Sequence, residues 1–257
     1  MKYLIFLDID GTLLTRVGVP ERSQKAICRA VEEGHYVLIN TGRAKGNVPV
    51  KHLSHLPLSG MVAGLGSYVE MNGEVLLSCA MSDDDVRYAM GVADELGLGL
   101  SIEGEDMLID YHPERFDRWP PCGRCCDSLE DLHVKDPALR ISKMGFTSPL
   151  PEDVAKKLQE RFMLINHPTY AEFGTKGHSK ATAMEFLMQR LGIARDHVIA
   201  MGDSLNDVEM LQAAGIAVVM GDGHPDVKPL ADMITIDAHL GGVGQALEEL
   251  VLQQEQQ

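Results

Sequence analysis

Two short acidic stretches have the residue types and spacing to do chemistry. Asp8-Ile9-Asp10-Gly11-Thr12 follows the apolar run Tyr3 to Leu7, and Gly202-Asp203-Ser204-Leu205-Asn206-Asp207 follows the apolar run Val198 to Met201. In an open parallel sheet, ligands lie beyond the carboxyl ends of the strands. If both runs are strands of one such sheet, Asp8, Asp10, Asp203 and Asp207 converge on one rim. Taken alone, an Asp-x-Asp reads as readily as a solvated loop with a helix cap. Four converging carboxylates do not, because like charges about 4 Å apart repel by several kcal/mol at protein-like dielectric and call for a cation. Hard oxygen donors with room for water suit Mg²⁺ rather than zinc, with Asp8, Asp10, Asp203 and Asp207 as the candidate metal site.

A carboxylate-held Mg²⁺ points to phosphate chemistry, since the metal can bridge to phosphoryl oxygens and offset their charge. Such chemistry also needs a hydroxyl and a cation aimed at the same group. Asn40-Thr41-Gly42-Arg43 supplies the Thr41 hydroxyl, the backbone N–H groups around Gly42 and the Arg43 guanidinium, and Lys180 supplies a point charge. Singly, Thr41 reads as a helix cap and Lys180 as a surface residue; together and in this order they become specific.

Positioning these residues requires an α/β frame. Tyr3 to Leu7, Tyr36 to Ile39, Val198 to Met201 and Ile216 to Met220 are short, near-continuous apolar runs, the pattern of strands buried on both faces of a parallel sheet. Between the first two, Ala26, Ile27, Ala30 and Val31 repeat at helical spacing, with Ser23 as expected N-cap and Gly34 just past the end. Thr182 to Leu191 and Asp207 to Ala214 read as further helices. From about Glu74 to Glu172 the pattern changes. Short alternating strands (Leu98 to Ile102, Met107 to Tyr111, Leu139 to Phe146, Phe162 to Asn166) mix with helices at Asp83 to Leu96 and Glu152 to Phe162. The expectation is a Rossmann-like parallel-sheet core, residues 1–81 and 174–257, interrupted by an α+β cap at 82–173.

Asp8-x-Asp10-Gly-Thr12, Thr41-Gly42-Arg43, Lys180 and Gly202-Asp203-x3-Asp207 resemble the four motifs of the haloacid dehalogenase-like phosphotransferase superfamily. The stretch Tyr170-Ala171-Glu172 through Lys180, and Val218 to Gly221 followed by Val227-Lys228 and Ala231-Asp232, are similar to its Cof-type phosphatase branch, which carries a large cap between the second and third motifs. The resemblance implies that Asp8 is the nucleophile forming an aspartyl-phosphate and that Asp10 is the general acid and base. It also implies that Thr41, Lys180 and Asn206 hold the phosphoryl group. Mg²⁺ would bind Asp8, the Asp10 carbonyl and Asp203, with Asp207 ordering a water or Lys180. The cap would exclude water and choose the leaving group. The implied activity is hydrolysis of small phosphorylated metabolites such as sugar phosphates. The same fold leaves open a phosphomutase, or a weakly catalytic regulator that binds a phosphometabolite. The chain departs from the branch where Leu65-Gly66-Ser67 replaces Asn-Gly-Ala and Ala181 replaces the Gly after the lysine.

Composition sets the outer limits. The 257 residues carry a net charge of −15, which argues against nucleic-acid or anionic-membrane partners. No apolar run approaches the roughly 18 residues of a membrane span, and the one at the start stops at Asp8, short of a signal sequence. Five cysteines suggest reduced thiols and a cytoplasmic location. Cys122-Gly-Arg-Cys125-Cys126 reads either as metal ligands, joined by His112 or His133, or as ordinary thiols, the latter favoured by the lack of a second C-x-x-C. Arg115, Arg118 and Arg124, with Trp119 among them, form the cap's most basic stretch, and Gln253 to Gln257 reads as a frayed tail.

Overall fold

The computed structural model describes residues 2–117 and 121–252. Arg118 and Trp119 of the basic stretch, and the glutamine-rich tail, lie outside the described residues. In chain order the strands and helices are β1 (Leu4–Leu7), α1 (Glu21–Glu32), β2 (Tyr36–Asn40), α2 (Val50–Leu53), β3 (Gly60–Ala63), β4 (Tyr68–Met71), β5 (Glu74–Ser78), α3 (Asp83–Leu96), β6 (Leu100–Gly104), β7 (Leu108–Tyr111), β8 (Cys125–Cys126), α4 (Leu129–Lys135), β9 (Ile141–Phe146), α5 (Glu152–Arg161), β10 (Phe162–Asn166), β11 (Ala171–Thr175), α6 (Lys180–Leu191), β12 (Val198–Gly202), α7 (Val208–Ala213), β13 (Ile216–Val219), β14 (Met233–Ile234) and α8 (Gly242–Leu250). They form two compact units. The first runs to Gly42, resumes over Pro49–Leu76 and again from Ser179; the second comprises Arg43–Val48 and Leu77–His178.

The first unit is built on a sheet of strand order β14-β13-β12-β1-β2-β3-β4-β5, parallel from β14 through β3 and reversing at β4. β1 and β12 are buried along their whole length, as continuous apolar runs demand when helices cover both faces. α1 begins at Glu21 rather than Ser23, with Pro20 at the cap and no side-chain cap bond. Pro20 fixes a φ suited to helix entry, which frees Ser23 for another task. Buried inside the helix, its hydroxyl accepts a hydrogen bond from the Gly244 amide at 3.2 Å and seats α8 on α1. α6 begins at Lys180, two residues before the expected start, because Ser179 and Thr182 form a reciprocal capping box.

The second unit is an antiparallel sheet of order β10-β11-β9-β6-β7-β8, in which only the β7–β8 pair is parallel. Leu100, Ile102, Met144, Phe146, Phe162 and Phe173 form its core with Ala93 of α3 and Leu158 of α5. Phe146 and Phe173 stack at 5.1 Å. α3 spans the expected residues because Ser82 and Asp85 make a capping box and Gly97 ends the helix. The junctions at 82 and 173 move outward for two reasons. Met81 packs into this core, its amide donating to the Ile141 carbonyl at 2.7 Å, and Gly174 and Thr175 complete β11 opposite Met163 and Phe162. Segment 43–48 also joins this unit.

All five cysteines are free, and no group of three metal-donor side chains among the described residues includes one. His112 lies 2.7 Å from an Asp94 oxygen and His133 3.1 Å from an Asp83 oxygen, so both imidazoles have local carboxylate partners. Arg115 donates to the Leu98 carbonyl at 3.2 Å, and the exposed Arg124 donates to the Met107 sulfur at 3.2 Å.

Gly66 controls how β3 meets α6. It holds φ +87°, and a Cβ there would sit 2.0 Å from the Ser179 carbonyl oxygen, the residue that caps α6. Gly66→Ala is expected to cost about 3 kcal/mol or more, from left-handed strain and backbone overlap together. Gly73→Ala, with φ +80° but nothing within 4 Å, should show the strain alone, about 1–2 kcal/mol. Denaturant unfolding of the two variants measures both values.

Candidate active site

β1 and β12 are parallel neighbours with Leu7 opposite Met201. That register delivers Asp8 and Asp203 to one edge. The Asp8 amide is still in the sheet, donating to the Met201 carbonyl at 3.0 Å, so the nucleophile candidate is anchored by main chain. Asp8, Asp203 and Asp207 each offer a carboxylate oxygen, and these atoms lie within 4.8 Å of one another. The space is kept by absent side chains. A Cβ on Gly11 would fall 2.5 Å from Asp203 Oδ2, and one on Gly202 would fall 2.6 Å from Asp207 Cγ. The Asp10 carboxyl is not in this group. It is exposed, two residues past the buried Asp8, so the expected convergence of four carboxylates is a convergence of three with the fourth facing solvent.

Lys180, the first residue of α6, reaches into the cluster. Its Nζ lies 2.6 Å from Asp8 Oδ1 and 2.7 Å from Asp207 Oδ1, and all three side chains are buried. Burial opposes the charge on Lys180, but Asp207 and Asp8 outweigh it and hold the ammonium pKa above its usual range. Asp207 is fully committed. Its other oxygen accepts from the amides of Asp203 at 3.0 Å and Ser204 at 3.1 Å. Those bonds fix the turn after β12 and leave Asp207 to orient Lys180. For Asp8 the balance differs: burial pushes its carboxyl up to about 7, with Lys180 opposing and Asp207 and Asp203 adding repulsion. Burial also lifts Asp203 to about 6, against a hydrogen bond donated by the Thr12 hydroxyl at 2.9 Å.

Thr41 and Gly42 are buried just past the end of β2, with the Thr41 amide donating to the Val62 carbonyl at 3.0 Å. Asn206 is half-buried, its Oδ1 accepting from the Ser204 hydroxyl at 2.8 Å. Arg43 departs from the expectation. It belongs to the second unit, where its guanidinium donates to the Asn47 carbonyl at 3.2 Å. Composition and spacing gave no role to Asn40, yet its amide donates to the Lys180 carbonyl at 3.2 Å and so ties β2 to the start of α6. The Asn40 side-chain oxygen, Oδ1, is buried with no hydrogen-bond partner. The task of Thr12 was equally hidden within its motif.

This arrangement, a buried carboxylate paired with a lysine at the end of a parallel strand and facing two more acids, defines a hydrolase site. A model of the haloacid dehalogenase-like hydrolases matches residues 5–247, and the chain belongs to that family. It is a phosphatase by kinship. It is 28% identical over 256 residues to the 5-amino-6-(5-phospho-D-ribitylamino)uracil phosphatase YcsE of Bacillus subtilis, covering 97% of this chain and 96% of that one. It is 25% identical over 250 residues to the phosphoglycolate phosphatase of Methanothermobacter thermautotrophicus, covering 96% and 98%. The fold matches that of the phosphatase BT1666 from Bacteroides thetaiotaomicron with a TM-score of 0.81, at 24% identity and with 97% and 95% of the chains covered.

The donor set fits a divalent cation, since three carboxylates face one ammonium. Raised pKa values mean that the folded, metal-free protein holds these protons more tightly than the unfolded chain. The stability they contribute is complete below the ordinary carboxylate range and is lost as pH rises toward about 7. A cation needs both Asp8 and Asp203 ionised. Thermal denaturation with and without a saturating divalent cation should therefore show a larger rise in Tm at about pH 8 than at about pH 5.5. An equal rise at both values would show that the cation does not use these carboxylates.

Proposed function

We propose that this enzyme is a Mg²⁺-dependent, cytoplasmic phosphatase of small phosphorylated metabolites, acting through an aspartyl-phosphate on Asp8. The observation that carries the reading is the division of labour between the two acids of the first motif. Asp8 is buried, sheet-anchored and paired with Lys180, as a nucleophile fixed in place must be. Asp10 is exposed and its carboxyl lies outside the carboxylate cluster, two residues along the chain from the nucleophile.

In this reading an Asp8 oxygen attacks phosphorus, and the bond to the leaving oxygen breaks as Asp10 gives that oxygen its proton. Asp10 then takes a proton from water, whose oxygen attacks the phosphorus of the aspartyl-phosphate, releasing inorganic phosphate and regenerating Asp8. Lys180 and Thr41 hold the phosphoryl oxygens, with Asn206 and the Gly42 amide at the rim. Mg²⁺, held by Asp8, Asp203 and the Asp10 carbonyl, supplies positive charge against the phosphoryl group. Asp207 keeps Lys180 in place rather than contacting substrate. The named substrates of YcsE and of the methanogen enzyme are both small phosphate monoesters, which supports the class and leaves the leaving group open.

Phosphate release from a panel of sugar, polyol and carboxylate phosphomonoesters tests this reading. Release should require Mg²⁺. Asp8→Asn should lower kcat at least about 10⁴-fold, and Asp10→Asn about 10²- to 10⁴-fold, the usual worth of a general acid and base. Release that survives Asp8→Asn, or needs no metal, overturns the proposal.

A further inference from the structure

Asp8 and Asp207 hold the Lys180 ammonium, but a flexible four-carbon stem separates that charge from its main chain. Such a side chain is aimed only when its backbone is placed first. Ser179 caps α6 and lies against Gly66, which sets where the helix begins. Asn40 acts one residue further on, at Lys180 itself. Its side-chain amide donates to the Lys180 carbonyl at 3.2 Å, between two buried residues of the first unit.

Register explains this reach. Ile39 of β2 lies opposite Leu7 of β1, so the residues that follow them, Asn40 and Asp8, stand level on neighbouring strands. Asn40 is itself still a sheet residue, opposite Val62 of β3. It meets the main chain of Lys180, while Asp8 meets the ammonium at 2.6 Å. Both ends of one lysine are therefore referred to adjacent strands of one sheet.

Stability alone does not favour asparagine here. The three residues before it in β2, Val37 to Ile39, are buried and apolar, and asparagine is depleted in strands. Only Nδ2 can face a carbonyl oxygen, which turns Oδ1 away. That oxygen is buried with no hydrogen-bond partner among the described residues. A buried acceptor left unsatisfied offsets the gain from the single bond that the amide makes. Nor does the Lys180 carbonyl depend on Asn40 for a partner, since as the first residue of α6 it faces the amide four residues on. Leucine would fill the place without the orphan oxygen.

We propose that Asn40 is a positioning residue for the hydrolytic reaction, fixing the Lys180 main chain so that the ammonium stands between Asp8 and Asp207. The inference rests on the reading of Lys180 as the cation that holds the phosphoryl oxygens. A charge aimed in advance is worth most where charge rearranges, in the transition state. Loss of Asn40 therefore lowers turnover rather than substrate affinity.

Asn40→Leu and Asn40→Ala test this in the full-length enzyme, assayed with Mg²⁺ and p-nitrophenyl phosphate. Asn40→Leu should match or exceed the wild type in Tm. Its kcat should fall about 10- to 10²-fold, the scale of a displacement of about 1 Å, with KM within about threefold. Orthovanadate, which adopts the five-coordinate geometry of the transferred group, should inhibit the variant about tenfold less well, while inhibition by inorganic phosphate stays within about twofold. Asn40→Ala should repeat the kinetic pattern. Unchanged kcat, or weakening of phosphate and vanadate inhibition by the same factor, would overturn the proposal.

NMR of isotope-labelled lysine ammonium groups separates the positioning role from the phosphatase reading. Buried and ion-paired, the Lys180 ammonium should give a slowly exchanging signal that Lys180→Arg removes, and in Asn40→Leu that signal should shift or vanish. A signal unchanged in Asn40→Leu, or no signal that Lys180→Arg removes, refutes the positioning role even if hydrolysis is found. A signal lost with Asn40 in a protein that hydrolyses nothing sustains the positioning of Lys180 and overturns the phosphatase reading alone.

Discussion

Three carboxylates within reach of a single ammonium set the terms for the first unit. Lys180 cannot neutralise Asp8, Asp203 and Asp207 together, and burial, with repulsion between the acids added to it, raises the carboxyls of Asp8 and Asp203. Only a rigid frame keeps such groups from separating. Asp8 cannot retreat because its amide is a rung of the sheet, and Asp207 cannot because it caps the turn after β12. Lys180 begins a helix whose cap, Ser179, lies against Gly66 and whose first carbonyl is held by Asn40. Each constraint is made by main chain or by a side chain with no freedom left, so the cluster is held ready before any ligand arrives.

That rigidity explains which parts of the site were legible in the sequence. Asp8, Asp203 and Lys180 could be read because their types are chemically demanding and each follows or opens an apolar element whose period is plain. Thr12 and Asn40 were present in the same motifs, but their tasks depend on partners 191 and 140 residues away, a separation that no local pattern encodes. Ser23 misled for the same reason. A serine at the head of a helical period is a good cap, and only the approach of α8 turns it into an interhelical bond. The reversed strand β4, the edge strand β5 and helix α8 also went unread. β4 and β5 are short, and α8 carries three glycine or alanine positions in its first five residues, which blurs its period.

The second unit shows a different limit. Ser101 and Glu103 alternate with Leu100 and Ile102, and Lys143 and Glu172 alternate with Met144 and Phe173. In sequence that is the pattern of a half-solvated strand. Segment 43–48, which arrives from far upstream and which periodicity assigned to the core, lies over one end of that side and donates two hydrogen bonds to Glu103. Arg43 illustrates the same limit. It stands two residues after Thr41 and was read with it, yet the chain changes unit between Gly42 and Arg43.

The local charge balance in each unit, rather than the overall −15, determines what each can bind. In the first, three acids face one lysine, and burial raises the carboxyls of Asp8 and Asp203 to about 7 and about 6. Such a group responds to whatever positive charge is added, and a cation there turns an acidic cluster into a seat for an anion. In the second, Lys143 lies between two carboxylates, and Glu172 stays ionised far below physiological pH. The second cluster thus carries its own cation inside a buried network, whereas the first, with three acids facing one lysine, fits a divalent cation.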